Sequence, residues 1–232
     1  MITNKGVIYV AANNPWVKEA VYSARHVKRY CKELPITLFS NKPVELKYID
    51  NFIKISNNLN ERQFKFNYLW KSPYEYSLYL DSDTQIMCDI SEDFKILSKS
   101  DIALCHCVNR VSKEVNELVK EYPEIPYSFC EFNSGVMFFK KTERFEKFTK
   151  LWQELYYRYK KEFKITNDQY SLRVALWNSD LKIYTLPIEY NLQHVRKREK
   201  THKNIKARVI HGRKLYNKGK KWKRKYFEMI SS

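Results

Sequence analysis

A chain of 232 residues is long enough to bury a substantial core, in one large domain or two small ones, and it carries a net charge of +17. Only four glycines occur, Gly6, Gly135, Gly212 and Gly219, which excludes a Gly-rich phosphate cradle, a dinucleotide fingerprint or a Walker loop. From His194 onward the balance is +13, leaving +4 on the 193 residues before it, so the basicity belongs to a C-terminal segment and not to the body.

The first element is a short buried strand, "VIYVAA" at 7–12. "NNPW" then offers an N-cap asparagine and Pro15 for the first helical turn, and Val17, Ala20, Val21, Ala24 and Val27 follow at helical spacing. "ITLF" (36–39) and "FIKI" (52–55) are further strands, residues 61–71 are expected to be helical, and "YSLYL" (76–80) is an apolar strand. "DIALCHC" (101–107) and "EFNSGVMFF" (131–139) come next. Phe145, Phe148, Trp152, Leu155 and Tyr159 repeat at 3-4-3-4 spacing behind Thr142, the clearest helix of the chain. A second helix starts at "TNDQYSL", where Thr166 and Gln169 make a T-x-x-Q capping box. "KIYTLP" (182–187) and "ARVIH" (207–211) close the pattern. Alternating strands and helices predict a mostly parallel α/β sheet that binds its ligand at the strands' carboxyl ends.

The five cysteines are an odd number without a C-x-x-C pair, which predicts reduced thiols and a cytoplasmic location. Cys105-His106-Cys107 is read as core packing and not as a metal site, because strand alternation separates the histidine from the two sulfurs. No signal peptide is expected, and no apolar run approaches the ~18 residues of a membrane span. The organisation expected is a domain over 1–212 and a basic, aromatic tail over 213–232. Such a tail suits anionic lipid or acidic glycan, giving a peripheral membrane contact, or serves solubility alone. Nucleic acid is not expected as a partner, since a binding face should be basic in the folded body too.

The chemistry is concentrated where the strand at 76–80 ends in Asp81 and Asp83. Two carboxylates this close repel unless a cation lies between them or one is protonated. Mg²⁺ or Mn²⁺ accepts such oxygen ligands and keeps positions open for substrate phosphates. A solvated turn would use the same residue types. Two enzyme classes use the motif: haloacid-dehalogenase-type phosphatases, which want a small residue where Gln85 stands, and glycosyltransferases of the GT-A fold.

"YLDSDTQI", "FNSGVMFF", "NDQYSL", "LPIEYN" and "VIHG" occur in the order seen in glycogenin-like glycosyltransferases, the group that includes bacterial lipopolysaccharide hexosyltransferases. The chain resembles that family over residues 7 to 212. The resemblance implies a GT-A fold and retaining transfer of a hexose from a UDP-linked donor to a glycan, glycolipid or glycoprotein. It places the ligands of Mn²⁺ or Mg²⁺ on Asp81, Asp83 and His211, with Ser82 between the carboxylates at the donor. Ala11, Ala12 and Asn13 fall on the nucleotide contacts of the first strand, and Trp16 where an aromatic face stacks on uracil. Lys65, sixteen residues before Asp81, takes the position of a lysine near the donor's sugar and phosphate; Arg62 is not preferred to it. Asn133, Ser134 and Gly135 come beside the donor sugar, Gly135 because a missing side chain lets a ligand approach the backbone. Asp168 and Gln169 match a "DQ" pair at the reacting face, and Gly212 and Lys214 fall near the phosphates. The sequence departs from the family at Ile165, where a second acid is usual, and after His211, where no Pro-Trp follows.

Overall fold

Seven of the apolar runs pair side by side in a computed structural model that describes residues 4–44, 47–56, 65–108, 110–193 and 206–212. The elements are β1 (Lys5–Val10), α1 (Asn14–Tyr30), β2 (Ile36–Ser40), β3 (Asn51–Lys54), β4 (Tyr76–Leu80), β5 (Thr84–Ile86), β6 (Ile102–His106), α2 (Lys113–Leu118), α3 (Glu121–Glu124), β7 (Phe132–Lys140), α4 (Glu143–Phe163), α5 (Asp168–Trp177), β8 (Ile183–Thr185) and β9 (Val209–His211). The main sheet runs β3-β2-β1-β4-β7-β6-β8. Only β7 is antiparallel to its neighbours β4 and β6, so the sheet is mostly parallel as the alternation of elements predicts.

The reversed β7 matters for the site. Leu80 at the exit of β4 faces Val136 in the middle of β7 and the Asp81 amide donates to the Gly135 carbonyl at 2.8 Å, so the "FNSG" segment that opens β7 lies beside Asp81. Alternation along the strands splits the core into two layers. Leu78, Leu80, Val136 and Phe138 pack toward α1, while Tyr79, Met137 and Phe139 pack toward α4 and α5. The five apolar positions that predict α4 are all buried, and Thr142 caps it by accepting the Phe145 amide.

Several expectations change. Residues 65–71 form two 3₁₀ turns, Lys65–Asn67 and Leu69–Lys71, and not one α-helix; positions 61–64, including Arg62, lie outside the described residues. Phe66 and Leu69, three apart, are both buried, the spacing that eclipses on a 3₁₀ turn. The capping box at α5 is not made: Asn167 is the cap, accepting the Gln169 amide, which frees the glutamine side chain. Asn13 caps α1 without a side-chain bond; it sits at φ 71°, a conformation costly for a residue with a side chain, and its amide donates to Asn41 Oδ1 at 2.9 Å. β9 does not join the sheet. It pairs antiparallel with β5, a three-residue strand the sequence does not announce, in a ribbon of their own.

The segment between β6 and β7 is tied down by a buried arginine. Arg173 of α5 donates to the carbonyls of Tyr122, Ile125, Pro126 and Phe129, and its guanidinium covers the Tyr122 ring. The five cysteines are free thiols; Cys105 and Cys107 are buried, and His106 stacks on Phe132, in keeping with a packing role.

Candidate active site

The site is assembled at the carboxyl edge of β4. Tyr79 faces the α4–α5 side, and Asp81 two residues on follows it. The chain then turns: the Thr84 amide and hydroxyl both donate to the Asp81 carbonyl, at 3.1 and 2.8 Å. It is this turn, and not continued strand alternation, that brings the two carboxylates together. β5 starts at Thr84, and the ribbon register sets Thr84 opposite His211. The Gly212 amide closes the corner by donating to the Asp83 carbonyl at 2.9 Å.

His211 Nε2 therefore lies 3.2 Å from Asp83 Oδ1 and 3.6 Å from Asp81 Oδ2. The three residues each offer a ligand atom, all within 4.8 Å of one another, the one such group of three among the described residues. Two hard oxygens and an imidazole nitrogen with open positions around them form a donor set that suits Mn²⁺ or Mg²⁺.

Lys65 is the adjoining cation. Its Nζ donates to Asp81 Oδ1 at 2.8 Å and Ser134 Oγ at 2.9 Å, and it stands 3.5 Å from Asp168 Oδ2 and 5.1 Å from the Tyr79 ring centroid. Burial works to strip its proton, but Asp81 and Asp168 outweigh that and hold the ammonium charged. Tyr79 donates to the same Asp81 oxygen at 2.5 Å; burial first and the Asp81 charge second push its phenol well above the usual range. Asp81 thus splits its oxygens, Oδ1 toward Lys65 and Tyr79, Oδ2 toward His211. Burial likewise lowers the His211 imidazole, and the hydrogen bond and charge of Asp83, then the charge of Asp81, raise it further than burial lowers it. Three carboxylates, Asp81, Asp83 and Asp168, face one lysine and one imidazole, a balance that a bound cation would relieve.

Asp168 is the first residue of α5, buried, accepting the Ser134 hydroxyl at 2.7 Å, while its carbonyl receives the Trp152 indole at 3.2 Å. Asn133 turns its Oδ1 back on the Gly135 amide at 2.9 Å. The Cys107 thiol donates to Gln169 Oε1 at 3.1 Å. Ser82 donates to Glu19 of α1 at 3.2 Å.

These groups surround a cavity of about 350 Å³, within the range of small-molecule sites. Of the residues singled out in the sequence, Ala11, Ala12, Trp16, Lys65, Asp81, Ser82, Asp83, Asn133, Ser134, Asp168, Gln169 and His211 line it. Asn13, Gly135 and Gly212 are not among its lining residues, and Lys214 falls outside the described residues. The reason for Gly135 needs correcting. What its missing side chain admits is the protein itself: a Cβ there would lie 2.2 Å from His211 Cε1 and 2.9 Å from Asp81 Oδ2. Sequence reasoning missed Tyr79, readable from its period-two relation to Asp81, and Asn191 and Gln193, which both reach the His211 ring.

The seven-stranded sheet with a carboxylate-and-histidine cluster at its carboxyl edge defines a GT-A fold, and comparisons with known proteins agree. LgtC, a galactosyltransferase solved in complex with donor and acceptor sugar analogs, superposes with a TM-score of 0.60 at 13% identity over 89% of this chain and 86% of its own. GlyE, a glycosyltransferase of Streptococcus pneumoniae TIGR4, gives a TM-score of 0.67 at 12% identity, over 98% of this chain and 61% of that one. WbbM, a bifunctional glycosyltransferase, gives 0.63 at 13% identity, covering all of this chain and 50% of that one. No curated protein matches the sequence. The chain belongs to the nucleotide-diphospho-sugar transferase family, whose model matches residues 67–227. Membership makes it a glycosyltransferase that uses a nucleotide-sugar donor, and does not favour the phosphatase or nucleic-acid readings of the D-x-D motif and basic tail. Among the described residues no helix is long and apolar enough to cross a membrane.

Proposed function

We propose that the chain transfers a hexose from a UDP-linked donor to a hydroxyl of a glycan, glycolipid or glycoprotein, with retention, using Mn²⁺ or Mg²⁺ held by Asp81, Asp83 and His211. The observation that carries this reading is the convergence of those three ligand atoms beside the Lys65- and Asp168-lined cavity. Bound there, the cation would act as a Lewis acid on the departing diphosphate.

The chain's own residues divide the remaining work. Ala11 and Ala12 form the floor under the nucleotide, Trp16 offers a flat face for its base, and Asn13 is assigned to the nucleotide by the family resemblance alone. Lys65 supplies positive charge where the diphosphate gains negative charge, and its ties to Asp81 and Asp168 fix those carboxylates relative to each other. Ser134 and Asn133 border the sugar. Asp168 faces the anomeric carbon and offsets its developing positive charge. Gln169, its carbonyl oxygen held by Cys107, presents its amide to the cavity. Lys214 is assigned to the phosphates, and retention to the mechanism, by the family resemblance.

Ligand linkage tests the reading directly. UDP with Mn²⁺ at about a hundred times their dissociation constants should raise the melting temperature on the order of 5–10 °C, and UDP without metal far less. Equal shifts with and without Mn²⁺ would remove the metal from the reading; no shift with either would remove the donor. The division into a domain over 1–212 and a basic tail stands as part of the same proposal, with the tail meeting anionic lipid or acidic glycan. Deleting residues 216–232 should then release the chain from anionic vesicles, and unchanged activity and vesicle binding would end that role.

A further inference from the structure

We infer that Asn191 is a positioning residue for the metal centre, fixing the tautomer and ring orientation of His211 so that Nε2 is the ligand atom; the inference rests on the metal reading above. Asn191 ends the short 3₁₀ turn Ile188–Asn191 that Pro187 opens, and its side chain is buried. Backbone hydrogen bonds place it beside His211. The Leu192 amide donates to the Val209 carbonyl at 3.0 Å, the His211 amide donates to the Leu192 carbonyl at 3.1 Å, and Leu192 bridges to Ile210.

The side-chain geometry decides which imidazole nitrogen keeps its proton once a cation takes the other. His211 Nδ1 lies 2.8 Å from Asn191 Oδ1. An amide oxygen can only accept, so Nδ1 must donate, and a neutral imidazole then has its lone pair on Nε2. That is the nitrogen facing Asp83 Oδ1 at 3.2 Å and Asp81 Oδ2 at 3.6 Å. Gln193 also approaches Nδ1, but through its amide nitrogen and at 3.3 Å. Two donors cannot satisfy each other, so the shorter, oppositely matched contact with Asn191 sets the tautomer. A metal-bound histidine generally relies on such an outer partner, whose loss typically costs 10–100-fold in metal affinity. The motif "LPIEYN", conspicuous in the sequence with no role attached to its asparagine, thereby gains one.

The test is a Mn²⁺ titration followed by electron paramagnetic resonance, with and without saturating UDP, on the wild type, Asn191→Leu, Asn191→Asp, His211→Ala and the His211→Ala/Asn191→Leu double variant. Asn191→Leu should weaken Mn²⁺ binding about 10- to 100-fold, and Asn191→Asp, which keeps an accepting oxygen, should restore most of it. In the His211→Ala background Asn191→Leu should change nothing further, because its effect passes through the imidazole. Equal weakening in both backgrounds would show a general structural role and overturn the proposal, as would undiminished Mn²⁺ binding by Asn191→Leu. Failure of the wild type to bind Mn²⁺ in either condition, or wild-type affinity in His211→Ala, would sink the metal reading itself. Should Asn191→Leu not fold, nitrogen NMR of the Mg²⁺–UDP-loaded wild type still decides: the His211 proton is expected on Nδ1, and a proton on Nε2 would overturn the assignment.

Discussion

Asp83→Asn should abolish metal-dependent donor turnover, by on the order of a thousandfold or more, while leaving the fold intact. The substitution is nearly isosteric, and the backbone bond that holds Asp83 at the ribbon, from the Gly212 amide to its carbonyl, survives the change. What is lost is one of two carboxylates facing His211, with Asp83 Oδ1 the nearer at 3.2 Å. An amide oxygen is a poorer ligand for a hard cation, and the remaining Asp81 cannot compensate, because its other oxygen is committed to Lys65 and Tyr79. Relief of repulsion among Asp81, Asp83 and Asp168 opposes the lost pairing with His211, so the melting temperature of the metal-free protein should move little. Two measurements settle the matter together: UDP release against Mn²⁺ concentration, and thermal unfolding without metal. Turnover at the wild-type rate in a folded variant would refute the metal assignment; a large loss of stability would mean that Asp83 is structural.

How far the sequence carries this site depends on the kind of contact involved. α4 is legible because Phe145, Phe148, Trp152, Leu155 and Tyr159 bury one stripe, and burial of a stripe is what periodicity records. β4 and the carboxylates after it are legible for the same reason, an apolar run that stops at charge. The imidazole is different. His211 meets Asp83 only because two three-residue strands, β5 and β9, pair across 127 positions between Thr84 and His211, and strands this short leave no periodic signal. Only the resemblance of "VIHG" to a family motif points to it. Residues 65–71 show the opposite error: their apolar spacing is helical enough to predict a helix, yet Phe66 and Leu69 choose the tighter 3₁₀ turn, and Lys65 reaches the site from there. Asn191 and Cys107 touch the site through single hydrogen bonds, which composition and spacing do not encode.

Gly135→Ala should cost Mn²⁺ affinity as severely as His211→Ala, although residue 135 has no side-chain atom to offer a metal. The methyl would meet His211 Cε1 at 2.2 Å, His211 Nδ1 at 2.8 Å and Asp81 Oδ2 at 2.9 Å, distances at which something must move. Gly135 lies in β7, an inner strand, at the bulge where its pairing with β6 shifts register, and both its backbone groups are tied: its amide donates to Asn133 Oδ1 at 2.9 Å and its carbonyl receives the Asp81 amide at 2.8 Å. His211 ends a three-residue strand in a two-stranded ribbon. The softer side yields, so the imidazole leaves its place, the Asn191 bond breaks, and Nε2 no longer converges with the carboxylates. Overpacking of this size should lower stability by about 1–3 kcal/mol, well short of unfolding the domain. Removing the obstacle provides the control: in a His211→Ala background the alanine at 135 has most of the room it needs, so its stability cost should largely vanish and Mn²⁺ affinity should fall no further. Denaturant unfolding and Mn²⁺ titration of the two single variants and the double variant measure both quantities. Full Mn²⁺ affinity in Gly135→Ala, or a stability cost unchanged by His211→Ala, would show that the ribbon is not the element that yields. The glycine would then owe its place to something other than the histidine it now admits.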